Sequence, residues 1–86
     1  MSFAEKIIEK DGYRLELVQG NDASGTPFYA YILFHAKSFE QFEKAARDSG
    51  LVEMENYGII IKRGYGKPTS EDEDDVMKEF REDYLK

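Results

Sequence analysis

The longest apolar and aromatic run in the chain is 28–36, Phe-Tyr-Ala-Tyr-Ile-Leu-Phe-His-Ala, with Pro27 before it and Lys37-Ser38 after it. Its length and its aromatic and β-branched content predict a strand rather than a helix. Alternation puts Phe28, Ala30, Ile32, Phe34 and Ala36 on one face and Tyr29, Tyr31, Leu33 and His35 on the other. Apolar residues on both faces are the pattern of a central strand with neighbours above and below.

Upstream, Asp11-Gly12 is the two-residue signal for a type I′ hairpin turn, because glycine adopts positive φ without a Cβ clash and aspartate tolerates it. With arms at 3–10 and 13–19, Lys10 faces Tyr13, Glu9 faces Arg14 and Ile8 faces Leu15. An unbroken register then pairs Ile7 with Glu16 and Lys6 with Leu17. One face carries Ile8, Tyr13, Leu15 and Leu17; the other carries Ile7 and Val18 among Glu5, Glu9 and Glu16. Residues 20–27 are turn formers without periodicity and read as a loop.

Downstream, Ser38 and Gln41 have capping-box spacing, and Phe39, Phe42, Ala45 and Ala46 form the stripe of an amphipathic helix that Gly50 ends. Residues 51–56 read as a short strand or as the lead-in to the next one. Residues 58–63 form a strand that is again apolar on both faces, broken by Gly64-Tyr65-Gly66-Lys67-Pro68. A last helix follows, capped by Ser70 with Glu73 or, one residue earlier, by Thr69 with Asp72. Its buried stripe is Val76, Met77, Phe80 and Tyr84.

The order β-β-β-α-β-α predicts one α+β domain over residues 1–86, a two-layer sandwich with a four-stranded, mostly antiparallel sheet and two helices packed on one face. The first helix reads as a crossover that returns the fourth strand parallel to a neighbour. The expected core is Ile8, Leu15, Leu17, Phe28, Ile32 and Phe34 beneath Phe39, Phe42, Val76 and Phe80. That leaves Tyr29, Tyr31, Leu33, His35, Ile7 and Val18, with Ile60, on an open face.

Composition narrows the chemistry. The chain has 86 residues and no cysteine, which excludes disulfides and thiolate metal sites. The absence of a long apolar run predicts a soluble, cytoplasmic protein with no membrane partner. Of the net charge of −6, −5 falls on residues 70–86 and only −1 on the rest. This balance argues against nucleic acid as a partner.

The acids Glu71, Asp72, Asp74 and Asp75, with Glu73, load a helix first turn where the macrodipole favours negative charge. They lack the alternating ligands and the glycine of a calcium loop, so no metal site is expected. Arg63-Gly64-Tyr65-Gly66 matches the first four places of an RNA-recognition signature, but Lys67-Pro68 then breaks it. His35 is the sole histidine, and Glu53 and Glu55, flanking Met54 at strand-like spacing, are a carboxylate pair of the kind that serves acid–base chemistry. No motif assembles a catalytic set or implies a cofactor, so the balance leans away from an enzyme.

The expectation is an interaction module that forms a homodimer, or binds a protein partner, through the aromatic open face. The alternative is a regulatory protein whose acidic last helix inhibits a basic or nucleic-acid-binding target.

Overall fold

The strand pattern at 28–36 places that segment at the centre of the molecule, and the structure, a computed structural model, bears this out. It describes residues 3–50 and 52–85. The elements are β1 (Phe3–Lys10), β2 (Tyr13–Asn21), β3 (Pro27–His35), α1 (Ala36–Ser49), β4 (Gly58–Tyr65) and α2 (Ser70–Glu79). A 3-10 turn, Met54–Asn56, precedes β4, and α2 continues into a wider helical turn at Phe80–Tyr84. The four strands form one sheet in the order β1-β2-β3-β4, and every neighbouring pair is antiparallel. This is the expected α+β class and element order.

The hairpin closes at Asp11 (φ 52°) and Gly12 (φ 83°), the pair of positive φ values that a type I′ turn demands. The register holds from Lys10–Tyr13 to Ile8–Leu15 and then shifts at Ile7, so that Lys6 rather than Ile7 faces Glu16. A bulge of this kind sends two successive side chains to one side. Ile7 and Ile8 therefore pack against the same core instead of dividing between the faces.

β4 corrects the expected crossover. It starts beside Phe34, where β3 ends, and runs back antiparallel to it. Residues 36–57 are thus an excursion from one end of the sheet, not a passage to the other end. α1 also starts two residues before Ser38. His35 occupies the N-cap without a side-chain bond, and the Gly12 carbonyl accepts the Ala36 N–H at 2.8 Å. A backbone acceptor from the hairpin turn thereby satisfies one of the helix's orphan donors, the task a capping side chain would perform. Of the ambiguous 51–56 stretch, Met54–Asn56 is the 3-10 turn, and Leu51 lies outside the described residues.

The helices do not share a face. β2 pairs with β3 so that Leu15 faces Leu33 and Leu17 faces Tyr31. This puts Leu15, Leu17, Tyr29, Tyr31 and Leu33 on one side, where Val76 and Phe80 of α2 bury them. Val18, Ala30, Ile32 and Phe34 lie on the opposite side against Phe39 and Phe42 of α1, Met54 and Tyr57. The expected single core is two cores, one per face. The reason is the doubly apolar β3, which exposes a hydrophobic surface wherever it is left bare.

Coverage is unequal. Val76 and Phe80 of α2 are buried, whereas no side chain of α1 is. Among the described residues, no helix is long and apolar enough to cross a membrane.

Candidate functional site

The aromatic face expected to be open is closed by α2. Tyr29, Tyr31 and Leu33 are 7%, 1% and 2% exposed, and the two tyrosine rings meet edge-on at 6.1 Å. Ile7 is half-buried in the same core, and Val18 is buried on the other side of the sheet. His35 alone of the six is exposed, its ring edge-on to Tyr13 at 5.6 Å. Tyr13, His35, Tyr57 and Tyr84 line a shallow hollow of about 450 Å³ at that end of the sheet.

A second register shift, between Tyr31 and Ile32, sets the charges of β4. Ile60 faces Ile32, and the next paired residue is Lys62, opposite Tyr31. The extra residue, Ile61, packs into the α2-side core. Lys62 is thereby turned toward α2 and Arg63 toward the α1 side, where it stands opposite Ala30. Strict alternation from Ile60 would have given the reverse.

On the α2 side this builds a network around Asp72. Thr69 is the N-cap, so the second of the two capping boxes is the one formed. The Thr69 N–H donates to Asp72 Oδ2 at 2.8 Å, and the Asp72 N–H donates to Thr69 Oγ1 at 3.2 Å. Lys62 Nζ lies 2.9 Å from Asp72 Oδ1 and 3.4 Å from Asp75 Oδ2, and the Tyr29 hydroxyl donates to Asp72 Oδ2 at 3.2 Å. The Thr69 N–H and the Lys62 ammonium hold the Asp72 carboxyl well below the usual carboxylate range. Asp72 raises the Lys62 pKa in turn. Burial raises those of Tyr29 and Tyr31, with help from Asp72 at Tyr29 and from Glu73 at Tyr31. Glu71, Asp74 and Asp75 remain exposed on the outer face of α2.

Gly64 belongs to this arrangement and not to a turn after the strand. A Cβ at position 64 would sit 2.7 Å from the Tyr29 hydroxyl and 2.9 Å from its Cζ. The glycine of the apparent RNA-recognition signature is therefore a packing requirement of Tyr29.

On the other side α1 covers only part of the sheet. Phe39 packs edge-on to Phe34 with ring centres 5.2 Å apart, and the Arg14 guanidinium lies 4.1 Å over the Phe39 ring. Arg14 also bridges Glu9 (3.1 Å) and Glu16 (2.9 Å). Glu16 is only 3% exposed, and its Oε2 has no hydrogen-bond partner among the described residues.

Beyond α1 and the 3-10 turn lies an open groove of about 910 Å³. Val18, Ala30, Ile32 and Ile60, from β2, β3 and β4, form its apolar floor, with Met54 and Tyr65 on its walls. Asp22, Glu53, Glu55 and Arg63 supply its charges. Tyr65 is 76% exposed. Glu53 and Glu55 belong to the 3-10 turn region and not to a strand, and they stand at the groove's rim. Asp22 is fixed by its own turn, its Oδ1 accepting the Ser24 hydroxyl at 2.6 Å and the Ser24 and Thr26 N–H groups at 2.9 Å. These bonds, led by the Ser24 hydroxyl, lower its pKa.

The groove was not foreseen from the sequence. Its signal was Ile60, which faces Ile32, with Arg63, which the bulge brings opposite Ala30. No protein-family model matches the chain, and no curated protein or solved structure matches it.

Proposed function

We propose that this protein is a small interaction module that binds another molecule in the half-covered groove on the α1 side of the sheet. The observation that carries this reading is the groove of about 910 Å³ itself, with the 76% exposed Tyr65 on its wall, half-buried Ile60 and the buried Val18, Ala30 and Ile32 at its floor, beside a helix none of whose side chains is buried. A concave site with an apolar floor and a few polar groups at its rim is characteristic of binding sites. Self-association through Tyr29, Tyr31 and Leu33 is not part of the proposal, because α2 occupies that face.

The test is an NMR titration with a neutral apolar dye. Amide shifts confined to Val18, Ala30, Ile32 and Ile60 support the reading. Shifts centred on the His35 hollow, or on no one place, overturn it.

A second reading rests on the outer face of α2. Lys62 engages Asp72 and Asp75, but Glu71 and Asp74 make no ion pair among the described residues. An acidic helix in that state suits a basic target, which the protein would inhibit by occupying it. Reversing Glu71, Asp74 and Asp75 to lysine tests this while sparing the capping residue Asp72. Unchanged binding to a polybasic surface would dismiss it.

A further inference from the structure

The hollow at the His35 end of the sheet shares no lining residue with the groove and has a chemistry of its own. Four parts of the chain bring rings to it. Tyr13 opens β2, His35 closes β3, Tyr57 stands just before β4, and Tyr84 ends the turn that follows α2. Strand pairing sets Tyr13 opposite His35 and Leu33 opposite Ile59. Leu33 is buried, while Ile59 is 56% exposed.

The rings stand at steep angles to one another. Tyr13 lies 5.6 Å from His35 and 5.8 Å from Tyr84, with interplanar angles of 77° and 68°. Planes so inclined present their faces in more than one direction. Tyr13, Tyr57 and Tyr84 are half-buried and His35 is exposed, so each ring keeps surface toward solvent. No side-chain hydrogen bond among the described residues uses any of the four.

Charge selects the ligand. No lysine, arginine, aspartate or glutamate lines the hollow. An anion would meet no base there and a surrounding protein of net charge −6. A compact primary ammonium is strongly hydrated and would find no carboxylate to replace its water. A quaternary ammonium carries its charge behind methyl groups, which suit Leu33 and Ile59. Aromatic faces attract it within about 6 Å of the ring centre. The volume of about 450 Å³ is that of a small-ligand site. We propose that the hollow binds a quaternary ammonium group, held by the rings of Tyr13, Tyr57, Tyr84 and His35 with its methyls against Leu33 and Ile59.

The experiment is an NMR titration of the whole chain with choline and with 3,3-dimethylbutan-1-ol, the same shape with carbon in place of nitrogen. Sodium chloride at matched concentration controls for ionic strength. Choline is expected to shift the signals of the hollow and to bind about tenfold more tightly than the alcohol, the sum of a few exposed cation–π contacts. Y84F keeps the ring and should bind choline as the wild type does. Y84L removes the ring and should bind it several-fold more weakly. Trimethyl-lysine and phosphocholine complete the series: tighter binding of the first places the group on a peptide, of the second on a lipid headgroup, and either supports the proposal.

Equal affinity for choline and its neutral isostere overturns the proposal, and the comparison needs only the wild type. Choline shifts outside the hollow, or shifts that sodium chloride reproduces, also overturn it. Methylammonium binding as tightly as choline does the same, by removing the part assigned to the methyl groups.

Discussion

Lys62 of β4 and Asp72 of the first turn of α2 lie 2.9 Å apart, and this pair exists because one extra residue in β4 turns Lys62 to the α2 side. Without the bulge, Arg63 would face Asp72 and Lys62 would stand in the groove. A single irregularity thus fastens one helix and turns Arg63 toward the groove on the opposite face.

The Asp72 carboxyl is more acidic in the folded protein than in the unfolded chain. Its stabilising contribution is complete above the unfolded value, near pH 4, and is lost as pH falls from there through the folded value. Asp22, also lowered, adds in the same direction. Thermal melting should therefore show the wild type losing stability below about pH 4. D72N should be less stable at neutral pH and show a flatter acid limb. An unchanged acid limb in D72N would remove Asp72 from this role.

At alkaline pH the sign is opposite. Tyr29, Tyr31 and Lys62 all have raised values. Their protonated forms contribute fully below the unfolded values, near pH 10, and the contribution is lost as pH rises through the folded ones. Y31F removes one buried hydroxyl and should blunt the alkaline loss. Ultraviolet titration of the tyrosines alongside urea unfolding would measure both effects.

Gly64 and Tyr29 should behave as one unit. An alanine Cβ at 64 would lie 2.7 Å from the Tyr29 hydroxyl, on a ring held by Asp72 and Tyr31. Crowding of this kind costs about 1–3 kcal/mol. Y29F removes the closest atom but leaves Cζ at 2.9 Å. The double variant should therefore recover part of the loss, and a urea-denaturation cycle would show the coupling. Strict additivity would mean that the two side chains do not compete for the space.

Local signals were legible wherever the chemistry was local. Asp11-Gly12 turned the first hairpin, Gly50 (φ 76°) ended α1, and Thr69 with Asp72 formed one of the two anticipated capping boxes. Facing was not legible. With Phe28, Ala30, Ile32 and Phe34 on one side of β3 and Tyr29, Tyr31 and Leu33 on the other, periodicity cannot choose the side that a helix covers. The bulges at Ile7 and Ile61 carry no turn residue to announce them, yet each moves side chains across the sheet. The helices divide between the faces, and the α1 side is the one left short.

Arg14 and Glu16 make an asymmetric pair. Glu16 is almost wholly buried, with one carboxylate oxygen bonded to Arg14 and the other without a partner among the described residues, while the Arg14 side chain is 26% exposed. Removing the base strands a buried charge; removing the acid relieves one. R14M should cost about 3 kcal/mol, whereas E16M should be near neutral and R14M/E16M should recover most of the R14M loss. Chemical denaturation of the three variants checks the order. A larger loss for E16M than for R14M would show that the Glu16 carboxylate is a net stabiliser in its site.

Exchange of backbone amides should separate the two helices. α2 is anchored by Val76 and Phe80, 1% and 0% exposed, and by a complete capping box. α1 has no buried side chain and no side-chain cap; Phe39 and Phe42 are its main holds on the sheet. Protection follows the cost of local opening, which is small where little apolar surface is sealed. Amides in the middle of α1 should exchange well before those of α2 and of β3, and F80A should cost about 3–5 kcal/mol, more than F42A.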